Sequence, residues 1–262
     1  MTAIHDGHIH LTSPEVAENA NAAALLADLD SLGITRAAVV TPSTMGWDNS
    51  VTFDAVSAHP DRFVAIARVD LTSPAGIGDL EDVLDRGAVG IRLTLLGAAS
   101  PPPLTGPVTE AMASMLAAHS AVAEFHCSPS QLGEVGSFAA AHPGVEVLID
   151  HLGRPEAGTL GSTAHTDFLA LAELPNITAK SPGLGFFSRE PFPHRDIAPF
   201  LTAAIDRFGA HRIMWGSDWP GCLEFGPYSN TLEGARSALA ERSDAERAAV
   251  LGGTFERVLL RR

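Results

Sequence analysis

Basic charge is scarce in this sequence. Seventeen Lys and Arg face 31 Asp and Glu, a formal net charge of −14 with histidines neutral. Nucleic acid and anionic membrane surfaces both need clustered cations, so the deficit excludes them as expected partners. Lysine is nearly missing: Lys180 stands alone against sixteen arginines. Cysteine is scarce too. Cys127 and Cys222 cannot build a disulfide framework and show no finger-like metal spacing, which fits a reduced, cytoplasmic setting. No apolar run is long enough to span a bilayer, and Met1-Thr2-Ala3 leads into the first strand without the basic stretch of an export signal. Linkers and low-complexity tracts are missing as well, so residues 1–262 are expected to form one domain.

What the sequence does contain is a run of short apolar segments separated by helical patterns. Ile4–His10, Arg36–Thr41, Phe63–Asp70, Ala88–Thr94, Val122–His126, Val145–His151, Asn176–Lys180 and Arg212–Asp218 read as eight strands. Their hydrophobicity is continuous rather than alternating, as in parallel strands buried on both faces. Ser13-Pro14 and Ser73-Pro74 read as helix starts, and Ser128-Pro129-Ser130-Gln131 and Ser243 with Glu246 as capping boxes. His59 and His142, each before a proline, read as helix C-terminal caps. Eight strand–helix units in 262 residues point to an α/β fold of a single (β/α)8 TIM barrel. The doubly wound alternative is disfavoured, because no Gly-x-Gly-x-x-Gly follows the first strand.

In such a barrel the active site lies where strands run into the following loops. Those ends collect His8 and His10, Arg92, His126, His151, Lys180 and Asp218. In a strand His8 and His10 project to the same side. A barrel interior normally takes branched apolar side chains, and one histidine there would read as a satisfied core residue. Three strands ending in histidine and a fourth in aspartate do not. His8, His10, His126 and Asp218 offer three nitrogens and one oxygen, a set that suits one zinc or manganese ion with a position left for water. His151 is then free to act as general acid or base, and Asp218 can bind metal and also accept a proton.

Asp6-Gly7-His8-Ile9-His10, Gly90-Ile91-Arg92, Phe125-His126, His151-Leu152-Gly153-Arg154-Pro155 and Trp215-Gly216-Ser217-Asp218-Trp219-Pro220 resemble, strand by strand, the amidohydrolase-related branch of the amidohydrolase superfamily. The loop Gly46–Ser50 and the run Ser188–Pro191 are similar to its 2-pyrone-4,6-dicarboxylate lactonase and sugar-lactonase group. The resemblance implies a TIM-barrel hydrolase. Two-metal members use a carboxylated lysine on strand four, where this chain has Arg92, which speaks for one divalent metal or a metal-free mechanism.

The leading expectation is a hydrolase that opens a carboxylated pyrone, muconolactone or sugar-acid lactone by attack of an activated water, with Asp218 and His151 handling protons. A metal-dependent decarboxylase of an aromatic or enol acid is the alternative, and a catalytically inactive barrel is disfavoured by the near-complete ligand set. Arg92, Lys180, Arg154 and Arg189 fall at strand ends or in the following loops, so they are the candidate contacts for an anionic small-molecule substrate.

Overall fold

The apolar segments do form strands, and they pair in chain order. The computed structural model describes residues 3–181 and 183–260; Met1, Thr2, Pro182, Arg261 and Arg262 lie outside the described residues. The strands are β1 (Ile4–Ile9), β2 (Ile34–Val40), β3 (Phe63–Ala67), β4 (Gly90–Thr94), β5 (Val122–His126), β6 (Val147–Ile149), β7 (Ile177–Lys180) and β8 (Ile213–Met214). Every neighbouring pair from β1 to β8 is parallel, as βα crossovers require.

The expected strand eight is much shorter than Arg212–Asp218. After Met214 the chain leaves the ladder with β7 and bonds to β1 instead. Gly7 N–H donates to Trp215 O (2.9 Å), Asp218 N–H to His8 O (2.9 Å) and His10 N–H to Trp219 O (2.7 Å). These bonds stitch the seam of a (β/α)8 barrel. The approach is close enough that a Cβ on Gly216 would lie 2.8 Å from His8 Cβ, which explains the glycine.

Alternation sorts the strands into two layers of contact. Ala123 and Phe125 of β5 point outward into the core shared with the helices, while Val122 belongs to an inner cluster with Val40, Val64, Ile66, Leu148 and Met214. The helix Thr254–Leu259 closes this inner cluster from below with Phe255, Val258 and Leu259. One or two steps further along each strand the inward residues become polar: His8, Arg92, Glu124, Asp150 and Lys180, all buried. The barrel is apolar at its base and charged toward its C-terminal mouth.

Local signals explain where helices start. The first begins at Ala22, with Asn21 as its cap accepting from Ala24 N–H, rather than at Ser13-Pro14, which only nucleates a turn through Val16 N–H and Ala17 N–H to Ser13 O. Ser73-Pro74 likewise forms a turn just ahead of the helix Gly76–Asp85. Both expected capping boxes are present, and His59 and His142 sit at helix C-caps. No helix among the described residues is long and apolar enough to cross a membrane.

Candidate active site

His8 of β1, His10 just past its end and one aspartate past β8 meet across the seam. His10 Nδ1–H donates to Val40 O (2.7 Å), which leaves the Nε2 lone pair free. His8 Nδ1 faces Asp150 Oδ1 (3.3 Å), Glu124 Oε1 (3.5 Å) and Lys180 Nζ (3.4 Å), so its Nε2 is the nitrogen turned toward His10. The two Nε2 atoms lie 3.2 Å apart, and Asp218 Oδ1 is 3.2 Å from that of His10 and 3.9 Å from that of His8. Two imidazole nitrogens and a carboxylate oxygen thus converge on one point. These separations place a common point about 2.0 Å from all three atoms, the bond length of zinc to nitrogen and oxygen. The donor set fits a single divalent cation.

The backbone is bent to make this possible. Asp218 has φ +62°, His151 +53° and Arg154 +65°, left-handed conformations that non-glycine residues adopt at a cost. Asp6 holds the seam in place. It is fully buried and accepts from His8 N–H (3.0 Å), Ser217 N–H (3.0 Å) and Tyr228 O–H (2.6 Å), tying the end of β1 to the segment that carries Asp218.

The remaining expected residues fall around this triangle. His151 is buried; its Nε2 is 3.8 Å from Asp218 Oδ2 and its Nδ1 has no partner. His126 lies outside the triangle, its Nε2 3.4 Å from Arg154 Nη1. Arg92 is buried and bonds Asp150 Oδ2 through Nε (2.9 Å) and Nη2 (2.8 Å). Lys180 is fully enclosed on the far side of the His8 ring, bonded to Glu124 and 3.4 Å from His8 Nδ1. Arg154 packs over Phe187, whereas Arg189 is mostly exposed and paired with Glu156. His8, Asp150 and His151 form a second donor group, but Arg92 and Lys180 already supply two cations to its carboxylate neighbourhood.

Electrostatics follow from this crowding. Burial alone would raise the Asp218 carboxyl, but the adjoining His10, His151 and His8 outweigh it and hold the carboxyl well below the usual carboxylate range. Burial keeps His8 and His151 below the ordinary imidazole value and drives His126 down to about 3. Burial and the Asp150 charge push Glu124 up to about 8 against the pull of Lys180 and Arg92. Burial also raises the Cys127 thiol to about 12, which makes it inert.

Three structural residues escaped the sequence reading. Glu124 is two residues before His126 on an otherwise apolar strand and so faces the same side, a signal that was available. Asp150 and Asp6 each adjoin or precede a site histidine, and nothing in their spacing separates a bracket from an ordinary polar neighbour.

Two clefts open beside the site. One, of about 380 Å3, has Arg92, Thr94 and His126 in its walls; the other, of about 530 Å3, has Arg154, Phe187 and Arg189.

Comparison with known proteins agrees with this geometry. The chain is 31% identical to an L-fucono-1,5-lactonase of Burkholderia ambifaria over 72% of its length, and 30% identical to a 4-sulfomuconolactone hydrolase of Rhizobium radiobacter over 77%. The matches span 66% and 67% of those proteins. The fold superposes on the crystal structure of a probable 2-pyrone-4,6-dicarboxylic acid hydrolase from Acinetobacter baumannii with a TM-score of 0.86, at 22% identity, covering 98% of this chain and 99% of that one. The Amidohydrolase family model matches residues 6–261, and the chain belongs to that family.

Proposed function

We propose that this chain hydrolyses a lactone, with Asp218 taking the proton of the attacking water. The observation that carries the reading is the convergence of the His8 and His10 nitrogens and the Asp218 carboxylate next to His151 at the barrel mouth. The named activities of the two relatives compared above, an L-fucono-1,5-lactonase and a 4-sulfomuconolactone hydrolase, support it.

Opening a lactone consumes one water and yields a hydroxy acid. It needs a sink for the water's proton, charge stabilisation at the carbonyl oxygen, and a proton for the departing ring oxygen. His8, His10 and Asp218 would hold one zinc or manganese ion. Bound there, such an ion acidifies water and polarises a carbonyl oxygen. Asp218 presents Oδ1 to the triangle and Oδ2 toward His151, so it can take the proton on one oxygen and return it to the ring oxygen as the C–O bond breaks. His151, neutral near pH 7, sits 3.8 Å from that oxygen, a separation that leaves room for a bridging water or substrate group. His126 and Arg154, joined at 3.4 Å, orient the substrate rather than complete the ligand set. The substrate is a lactone of the carboxylated pyrone, muconolactone or sugar-acid type; the first two carry a carboxylate, toward which Arg92 would supply positive field.

Turnover of a lactone panel, read as proton release at constant pH with carbon dioxide captured in parallel, tests this. Proton release without carbon dioxide is expected, and Asp218→Asn should keep the fold and lose about 10^3-fold in kcat. Carbon dioxide release without ring opening would select the decarboxylase chemistry instead. A folded Asp218→Asn enzyme with near-normal turnover would remove Asp218 as the proton acceptor.

A further inference from the structure

Arg68, just past β3, is a buried cation without a counter-ion. Its side chain is 7% exposed, Nη1 donates to Gly46 O (2.7 Å), and Nε is enclosed with no partner. Among the described residues it forms no ion pair, in contrast to Arg92, which has Asp150. Burial and the neighbouring Arg92 charge pull its pKa to about 10, so the guanidinium stays protonated at neutral pH. A charge taken out of water without a partner is among the costliest features a fold can hold.

The surroundings keep it there. Asn49 clamps the Arg68 backbone from both sides, accepting from its N–H (2.8 Å) and donating to its carbonyl (2.9 Å). Trp47 lays its ring over the guanidinium at 4.6 Å. Arg68 and Arg92 line the same cleft of about 380 Å3, together with Thr94, whose Oγ1 is also enclosed without a partner. Among the described residues, two that carry an unpartnered buried polar atom, Arg68 and Thr94, therefore line one concavity. In the larger cleft the positive charge of Arg189 is already matched by Glu156.

We infer that the cleft between the β2, β3 and β4 ends is an anion subsite, in which Arg68 and Arg92, with the Thr94 hydroxyl, receive an oxyanion substituent of the substrate, a carboxylate or sulfonate. The inference rests on the lactone hydrolase reading for the substrate but not for the binding. It assigns a purpose to the Gly46–Asn49 loop, which positions Arg68.

Binding is tested apart from turnover. Pyridine-2,4-dicarboxylate, a ring dianion with no lactone bond, is titrated calorimetrically into the full chain, with pyridine as the uncharged ring. The dianion should bind and pyridine should not. Arg68→Gln, which keeps a donor for Gly46 but no charge, should weaken the dianion at least about tenfold, Arg68→Lys should recover most of that, and Thr94→Val should cost about two- to fivefold. With substrates, the ratio of kcat/KM for a carboxylated lactone to that for its methyl ester should fall by about tenfold in Arg68→Gln. Dianion affinity unchanged in folded Arg68→Gln, or no dianion binding by the wild type, would overturn the subsite. If Arg68→Gln does not fold, unchanged affinity in Thr94→Val overturns it. Arg68-dependent dianion binding in an enzyme that opens no lactone would overturn the lactonase reading and leave the subsite standing.

Discussion

At the scale of single residues, the site depends on charges that never meet solvent. Lys180 and Glu124 are both fully enclosed and paired behind His8. Removing the ammonium alone would leave a carboxylate facing the Asp150 charge in a dry interior. Lys180→Met should therefore lose about 3–5 kcal/mol of stability. The loss should be smaller at pH 6.5 than at pH 9, because Glu124, already raised to about 8 with Lys180 present, can then take up a proton. Adding Glu124→Gln should restore a large part. Denaturant melts of the three variants at both pH values check this; a pH-independent loss that Glu124→Gln does not relieve would show that the pair is not the source. Lys180 was conspicuous in the sequence as the only lysine, but its partner was not. A glutamate on a strand carries no label that distinguishes an inward ion pair from an exposed charge until the barrel curvature assigns its face. Arg68 was hidden for the same reason, since one more arginine after an apolar run reads as a strand end.

At the scale of elements, the parts that were legible are those whose signal is local. Phe63–Ala67 is a continuous apolar run, and the capping boxes at Ser128 and Ser243 need only four residues each. What was not legible was the end of strand eight. Met214-Trp215 continues the apolar pattern, but the backbone there answers to β1, 200 residues away in sequence by order of magnitude, and turns through a left-handed Asp218. The seam yields its own prediction. A methyl at Gly216 would collide with His8 Cβ at 2.8 Å and His8 N at 3.0 Å. Gly216→Ala should cost about 1–3 kcal/mol of stability and displace His8 from the triangle. Turnover should fall far more than that loss alone would give, measured as kcat at a temperature where the variant is fully folded. Full kcat in the folded variant would mean that His8 need not hold its position.

At the scale of the whole molecule, proton uptake on unfolding sets the response to acid. His5, His8, His126, His151 and His165 all lie below the ordinary value of 6.5, each mainly through burial. Below about pH 6.5 the unfolded chain binds protons that the folded chain refuses, so their contribution is complete above that pH and is lost progressively toward pH 3. Asp150 and Asp218, held low, add a second loss below about pH 4. Glu124, between 4.5 and about 8, and Asp6, also raised by burial, act in the opposite sense, two groups against five histidines. Melting temperature should fall by several degrees between pH 7.5 and pH 5, and calorimetry across that range tests it; a flat profile would mean that the histidines are charged in the fold. The seam between β1 and the Trp215–Trp219 segment has a further consequence, for the nascent chain. His8 and His10 leave the ribosome early and Asp218 late, so no intermediate that lacks the last strand can own the three-donor site. Assembly of the three-donor site then waits for ring closure, the strand pairing of greatest sequence separation in the barrel and the slowest kind to form. A truncated or stalled chain would carry the histidines without the activity.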